Sequence, residues 1–277
     1  MASIGKFNSL SVVALSANGA YLDGDNLGEI LLPNKYVPEQ CEIDDEVEVF
    51  IYADSSDRLV ATTEHPKAQV GQFASLRVKD TNKMGAFLDW GLAKDLLVPF
   101  NQQYRKMEVG RHYLVYVYVD ERTERLVASS KLDKFVDVWP ADYKNGQEVS
   151  LTIAARTDLG FKAIINHQHW GLLYANEIFK NLRIGQQCKG YVKQVREDGR
   201  IDLTLTRTGK GKVIDFKDTL IDYLNKHDGY SPLNDKSSPE LIQKTLGVSK
   251  KTFKATVGNL LKQKKITISA EGIKLIK

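Results

Sequence analysis

Two aromatic residues stand at matching places in a repeated pattern. Tyr21 in Gly19-Ala20-Tyr21-Leu22-Asp23 and Phe87 in Gly85-Ala86-Phe87-Leu88-Asp89 each follow Gly-Ala and precede Leu-Asp. Nucleobases present π-faces, and a ring exposed on a sheet gains roughly 1–3 kcal/mol per stacked base, whichever base it is. Such a platform needs cations beside it for the phosphates. Arg77, Lys79, Lys83, Arg156, Lys162, Lys193, Arg196 and Arg200 fall on or near the predicted strands. The competing reading makes both rings core aromatics of a small β-domain. Their recurrence in one Gly-Ala-aromatic context favours the exposed assignment.

The elements that must carry these side chains occur three times. A third, degraded copy of the aromatic segment reads Gly160-Phe161-Lys162-Ala163-Ile164. The next apolar segments align as Glu29-Ile30-Leu31-Leu32-Pro33, Asp95-Leu96-Leu97-Val98-Pro99 and Gly171-Leu172-Leu173-Tyr174-Ala175. Each copy closes alike, with Arg58-Leu59-Val60-Ala61-Thr62, Arg125-Leu126-Val127-Ala128-Ser129 and Arg200-Ile201-Asp202-Leu203-Thr204. A period of roughly 65–70 residues means one small domain used three times. In the second copy, Leu76 and Val78 alternate with Arg77 and Lys79, and Gly85 allows a positive-φ turn into strand two. Strand three is Leu96–Pro99, a polar stretch at 101–106 forms a helical turn, and strands four and five run through 113–119 and 125–129. Five strands with a short helical crossover between the third and fourth predict a Greek-key barrel of the OB type. On the fourth strand, Val115, Val117 and Val119 share one face and Tyr116 and Tyr118 the other, where they are expected to pack against a neighbouring barrel.

The Gly85–Asp89 and Leu96–Pro99 pair, followed by Val109-Gly110, resembles the S1 RNA-binding domain, a subclass of the OB fold. That resemblance implies a strand-two aromatic stacked on a base and an aromatic or His flanking it from strand three. Tyr21 and Phe87 match the first position, where the third copy has Lys162 with Phe161 adjacent. At the second position the copies offer Leu32, Val98 and Tyr174, so the aromatic falls in the third copy.

Beyond residue 212 the apolar period changes from two to about 3.6. Phe216, Leu220, Tyr223 and Leu224 form one helix stripe, and the polar loop 225–236 ends that helix. Ser237-Ser238-Pro239-Glu240 caps a second helix that stops at Leu246-Gly247. Ser249 caps a third with the stripe Phe253, Val257, Leu260 and Leu261. Strands at 266–269 and 273–276 then form a two-stranded wing, so the segment reads as a winged helix. The expected division is three S1-like barrels at 1–64, 68–133 and 143–207, followed by a winged helix at 213–277, a multidomain and mainly β chain.

Charge is unevenly spread. Residues 209–277 hold 14 lysines, no arginine and 7 acids, a net +7, whereas residues 1–208 carry −3. Lys250, Lys251, Lys254 and Lys262 lie off the apolar stripe of the third helix, with Lys264 and Lys265 at its end. Lysines contact phosphate without reading sequence, so this helix predicts nonspecific nucleic-acid or protein contact.

Other motifs carry no chemistry. His167-Gln168-His169, with Cys188 as its one further candidate ligand, lacks the ligand set of a zinc site. Gly209-Lys210-Gly211-Lys212 lacks the spacing and the terminal Ser/Thr of a P-loop and reads as a basic flexible linker. The acids are dispersed rather than clustered for metal-dependent hydrolysis, and there is no nucleophile–base arrangement, so no catalytic role, metal or cofactor is expected. Cys41 and Cys188 fall in different repeats, as small buried residues of a reducing cytosol. No apolar run approaches the ~20 residues of a membrane span, and the N-terminus lacks a signal-peptide core. The chain is expected to be cytoplasmic.

Three S1-like barrels followed by a winged helix resemble the conserved virulence factor B family of bacterial RNA-binding regulators. This implies a non-catalytic protein that binds single-stranded RNA, mRNA in the first place, and regulates gene expression after transcription. Two alternatives stand beside it: a duplex-DNA transcription regulator acting through the winged helix, and a ribosome- or protein-docking scaffold.

Overall fold

In the computed structural model, residues 1–136, 142–178, 181–206 and 210–276 are described, with side chains from Phe216 onward in the last segment. The first barrel comprises β1 (Phe7–Ser16), β2 (Gly19–Asp23), β3 (Glu29–Pro33), β4 (Glu46–Ala53) and β5 (Leu59–Thr62). The second comprises β6 (Phe73–Asn82), β7 (Gly85–Asp89), β8 (Leu96–Pro99), β9 (His112–Val119) and β10 (Leu126–Ser129). The third comprises β11 (Glu148–Thr157), β12 (Gly160–Ile165), β13 (His169–Tyr174), β14 (Gln187–Val195) and β15 (Ile201–Thr204). All three are closed in the order first–second–third–fifth–fourth, with the third and fifth strands parallel. A 3-10 turn follows strand three in each, at Asn34–Tyr36, Phe100–Gln102 and Ala175–Glu177. The three S1-like barrels expected from the repeats are therefore present.

The same two devices close every barrel. Strand one carries a bulge at the equivalent place in all three, between Val12 and Ala14, Val78 and Asp80, and Ile153 and Ala155. Such bulges bend a strand sharply enough to turn a small barrel's corner. Strand two begins at Gly19, Gly85 or Gly160 with φ of 147°, 158° and 148°. A Cβ there would lie 2.0–2.2 Å from the carbonyl oxygen of Leu32, Val98 or Leu173. These glycines let strand two pass against strand three.

That spacing corrects one alignment. Gly19 pairs with Pro33, Gly85 with Pro99 and Gly160 with Tyr174. Leu32 and Val98 are thus equivalent to the buried core residue Leu173, and Tyr174 is equivalent to the two prolines. With a period of two, a slip of one residue exchanges the inward and outward faces.

The barrels are packed together. Phe50, Tyr52 and Val60 of the first join the second barrel's core beside Trp90, with Phe50 and Trp90 edge to face at 5.7 Å. Lys94 donates to the Asp54 carbonyl at 2.7 Å, and Arg125 pairs with Asp57 at 2.5 Å. Between the second and third barrels, Phe73, Leu114, Val136 and Ile164 form a shared apolar cluster. The Phe73 ring lies parallel to His167 at 6.1 Å, and the Phe73 amide donates to His167 Nδ1 at 3.1 Å. Tyr116 packs against this cluster and stacks on Phe135 at 4.3 Å, and Tyr118 lies 5.0 Å from the same ring. The outward tyrosines of strand four cover an inter-barrel surface.

The C-terminal domain is a winged helix built on α1 (Lys210–Lys226), α2 (Pro239–Leu246) and α3 (Lys250–Lys262). Ser238 and Ser249 cap α2 and α3 by accepting from the amides of Leu241 and Thr252. Gly247 ends α2 at φ 70°, the left-handed conformation that favours glycine. Phe216, Leu220, Leu224, Ile242, Phe253 and Leu260 form its core. Three expectations are corrected here. Lys210 to Lys212 belong to α1 rather than to a flexible linker, and Gly209 lies outside the described residues. Leu261 is exposed, and Thr256 takes the buried place on α3. The wing has a third strand, because β16 (Tyr230–Ser231) pairs with β18 (Gly272–Leu275), which also pairs with β17 (Ile266–Ser269). A further correction concerns the cysteines. Cys41 and Cys188 are both half-buried, each packed at the edge of a barrel core.

Candidate nucleic-acid interface

In each barrel the outward residues of strands two and three form one face. Tyr21 lies opposite Leu31, Phe87 opposite Leu97 and Lys162 opposite Leu172, all partly exposed. Phe161 occupies the inward position held elsewhere by Ala20 and Ala86, and it packs against the third barrel's core. It does not share the face of Lys162.

The predicted cations separate into groups. Arg77 lies on the outer face of β6, opposite Asp89 and His112. Lys79 pairs with Asp95 at 2.8 Å, and this hydrogen bond raises the pKa of the ammonium. Lys83 is exposed at the β6–β7 turn, and Arg156 is exposed on β11 opposite Phe161. Lys193 pairs with Glu177 at 2.5 Å. Lys251 and Lys254 are exposed on α3, and Lys250 at its start is partly so.

Four of the expected residues converge on the third barrel. Lys162, Tyr174, Arg196 and Arg200 line a cradle of about 490 Å³ together with Trp170 and Leu172. Trp170 supplies the larger ring of that cradle. It stands where the other barrels have Glu29 and Asp95, each diagonal to the strand-two position. The signal for it in the sequence is the constant offset from the repeat glycine, which places His169-Trp170 on β13 and Trp170 on its outward face.

A buried carboxylate organises the cradle. Asp202 is 3% exposed. It accepts from Gln194 Nε2 at 2.6 Å, from Arg196 Nε at 3.0 Å and from the Tyr174 hydroxyl at 3.3 Å. Arg196 closes the network through a second ion-pair contact with Asp202 at 2.9 Å and a hydrogen bond from Nη2 to the Tyr174 hydroxyl. The Asp202 hydrogen bond raises the Arg196 pKa further, so the guanidinium stays charged. A buried charge this fully bonded holds its partners in one geometry.

Neither of the other barrels can build this network. Asp202 is equivalent to Val60 and Val127, and Gln194 to Tyr52 and Tyr118, by the pairing of strands three, four and five. Val60 and Tyr52 are buried against the second barrel, and that burial pushes the Tyr52 hydroxyl up to about 12. The third barrel keeps the corresponding face open and lines it with polar groups.

The electrostatics follow the same division. Residues 1–64 contain 3 basic and 12 acidic side chains, so the first barrel repels a polyanion. In the third barrel, Lys162 Nζ stands 3.7 Å from the Trp170 ring centre and pairs with the exposed Asp133 at 3.0 Å. The two histidines of the 167–169 segment have structural partners: His167 with Phe73, and His169 Nδ1 with the Tyr143 hydroxyl at 3.1 Å. Among the described residues no group of His, Cys, Asp or Glu is placed to hold a metal ion. Among them, too, no helix is long and apolar enough to cross a membrane.

Comparisons with known proteins agree with this architecture. Residues 4–64 and 70–131 match the S1 domain family, and residues 218–275 match the CvfB-like winged helix domain. The chain is similar to "Uncharacterized protein YitL" of Bacillus subtilis, at 29% identity over 256 residues covering 89% of this chain and 85% of that protein. It is similar to "Conserved virulence factor B" of Staphylococcus epidermidis, at 25% identity over 283 residues covering 99% and 95%. Among solved structures, a multidomain protein with nucleic acid binding domains from Streptococcus pneumoniae matches at 23% identity over 99% of this chain and 98% of that one. Its TM-score is 0.42, too low to bear on the fold.

Proposed function

The chain belongs to the conserved virulence factor B family, and on that footing we propose that it is a non-catalytic, single-stranded RNA-binding protein that regulates gene expression after transcription. The observation that carries this reading is the third-barrel cradle. Trp170 and Tyr174 offer stacking surfaces for bases, Lys162, Arg196 and Arg200 offer charge for phosphates, and Asp202 fixes Arg196 and Tyr174 before any ligand arrives. Rings and cations in one shallow site suit an unpaired strand, whose base faces are accessible. A duplex hides them.

The lysines of α3 extend the reading. Lys251 and Lys254 are exposed and have no ion-pair partner among the described residues, so they are available to phosphates of the same strand. Tyr21 and Phe87 present their rings on the first two barrels, but the acidic surface of the first makes Phe87 the stronger candidate. Linked weak modules raise avidity when one strand reaches them together.

Binding of a labelled single-stranded RNA to the whole chain and to Tyr174→Ala tests the reading. Weaker binding with an unchanged melting temperature supports it, and equal affinity removes its main support. A preference for matched duplex DNA would favour a transcription regulator acting through the winged helix. Recovery with ribosomes, without affinity for free nucleic acid, would favour a docking scaffold.

A further inference from the structure

The second and third barrels enclose a cleft of about 470 Å³ that is separate from the cradle but shares a wall with it. Lys162 and Trp170 line both. The other side of the cleft is the strand-one and strand-four side of the second barrel, away from Phe87 and Leu97 on strands two and three. It carries Tyr104, Arg105 and His112. Ile184, which is 58% exposed, faces it from the third barrel.

Two features distinguish this cleft from an accidental gap. Its walls are fixed relative to each other. Phe73 and His167 join the barrels by a stacked pair and a backbone hydrogen bond, and Gly185 approaches Ser75 so closely that a Cβ would lie 2.2 Å from the serine Cβ. The second feature is Tyr104. The residue is 82% exposed, yet its backbone is tied down, because the Tyr104 amide donates to Ser130 Oγ at 2.8 Å and the Ser130 amide donates to the Gln102 carbonyl at 3.0 Å. A single exposed tyrosine is ordinary. A tyrosine on a pinned backbone at the rim of a cationic cleft is a preorganised stacking surface. Arg105 lies beside it, its guanidinium 5.5 Å from the Tyr113 ring centre. Charge in the cleft is positive on balance, with Arg105 and Lys162 against Asp133.

We propose that this inter-barrel cleft is a second nucleotide subsite, which takes the strand as it leaves the cradle past Trp170, with Tyr104 stacking a base and Arg105 and Lys162 holding the adjoining phosphate. The proposal rests on the nucleic-acid reading of the cradle. Its volume falls within the about 300–1,000 Å³ of sites that bury small ligands. In this arrangement Asp133 is the counterion that phosphate displaces from Lys162. The exchange sets one anion against another on an ammonium already positioned by the Trp170 ring.

Oligouridylates of two lengths test it, since a site on one OB fold spans about 4–16 nucleotides. A strand of about 4 nucleotides fills the cradle, and one of about 12 reaches the cleft as well. Fluorescence anisotropy on the full chain is expected to show Tyr104→Ala binding the longer strand about tenfold more weakly, with the shorter strand unaffected. Tyr104→Phe should restore the longer strand's affinity. Tyr174→Ala and Arg196→Ala should weaken both lengths. If Tyr104→Ala binds both lengths like the parent while Tyr174→Ala weakens both, the cradle stands and the cleft proposal is wrong. Equal weakening of both lengths by Tyr104→Ala would also overturn it, because the ring would then belong to the cradle. If neither Tyr174→Ala nor Arg196→Ala affects either length, the reading of the cradle itself fails.

Discussion

The ammonium of Lys162 lies 3.7 Å from the centre of the Trp170 ring, and in this pair the third barrel has exchanged ring and charge between two strands. The first two barrels put the aromatic on strand two, as Tyr21 and Phe87, and an acid diagonal to it at the start of strand three, as Glu29, or just before it, as Asp95. The third puts the cation on strand two and the aromatic on strand three. A stacking surface survives the exchange, the acid is gone, and a lysine is held over the ring. Cation–π contacts of this kind contribute about 0.5–1 kcal/mol at exposed sites. The electrostatic consequence is that an aromatic ring stands where the other barrels hold an acid that would repel a phosphate.

Asp202 is expected to matter for binding more than for folding. Asp202→Val restores the residue type of the first two barrels and leaves Arg196, itself partly exposed, free to hydrate. Removing one partner of a buried ion pair is costly when the remaining charge stays buried, but the Arg196 side chain is about a third exposed and can be solvated once Asp202 is gone. The expected result is a melting temperature near that of the parent and single-stranded RNA affinity about tenfold lower, measured by thermal denaturation and anisotropy. A large drop in melting temperature with unchanged affinity would show that the network serves the fold instead.

Gly85→Ala should do the reverse. The substituted Cβ would meet the Val98 carbonyl oxygen at 2.2 Å on a backbone with φ 158°, and neither backbone strand can move without breaking the barrel ladder. A destabilisation of about 1–3 kcal/mol or more is expected, read from the denaturant midpoint. Tyr21→Ala, which leaves the backbone alone, should shift that midpoint far less.

The junction of the second and third barrels should be sensitive to acid. Burial lowers the His167 pKa below its ordinary value of 6.5, so the folded chain takes up this proton less readily than the unfolded one. The unfolded state therefore binds more protons once the pH falls below about 6.5. The stabilisation is complete above that pH and is lost as pH falls toward the depressed folded value. His167→Asn tolerates the positive φ of 60° at this site and removes the titration. The parent should lose more denaturant resistance than His167→Asn between pH 7.5 and pH 5.5, and parallel losses would assign the sensitivity elsewhere.

The winged helix should contribute charge without selectivity. Replacing Lys250, Lys251 and Lys254 together by glutamine should flatten the salt dependence of RNA binding by about 0.7 for each phosphate that the lysines no longer neutralise. Preference among RNA sequences should stay as it was. An unchanged slope would place α3 off the path of the strand.

Much of this was legible in the sequence because repetition supplies its own alignment. Gly19, Gly85 and Gly160 mark the same steric crossing in each barrel, and Ser238, Pro239, Ser249 and Gly247 mark helix ends by local chemistry. The features set by long-range pairing were not. A strand-three register slipped by one residue puts the β13 aromatic at Tyr174 and passes over Trp170, and Phe161, adjacent to the strand-two position, faces inward onto the core. Asp202 stands in a valine position, and its partners Gln194, Arg196 and Tyr174 come from β14, the turn after it and β13, which only strand order brings together. The third wing strand is two residues long, too short for a periodic signal. The inter-barrel role of Tyr116 was legible because its neighbours on the same strand fix its face.

The most direct test of the central claim is a salt titration of the full chain against matched single-stranded RNA and duplex DNA, run beside a Trp170→Ala/Tyr174→Ala double variant. The account predicts tighter binding of the single strand at every salt concentration. It also predicts a loss of about tenfold or more in the double variant, with the salt slope nearly unchanged, because stacking rather than charge has been removed. Tighter binding of the duplex, or a double variant that binds the single strand as well as the parent does, would contradict it.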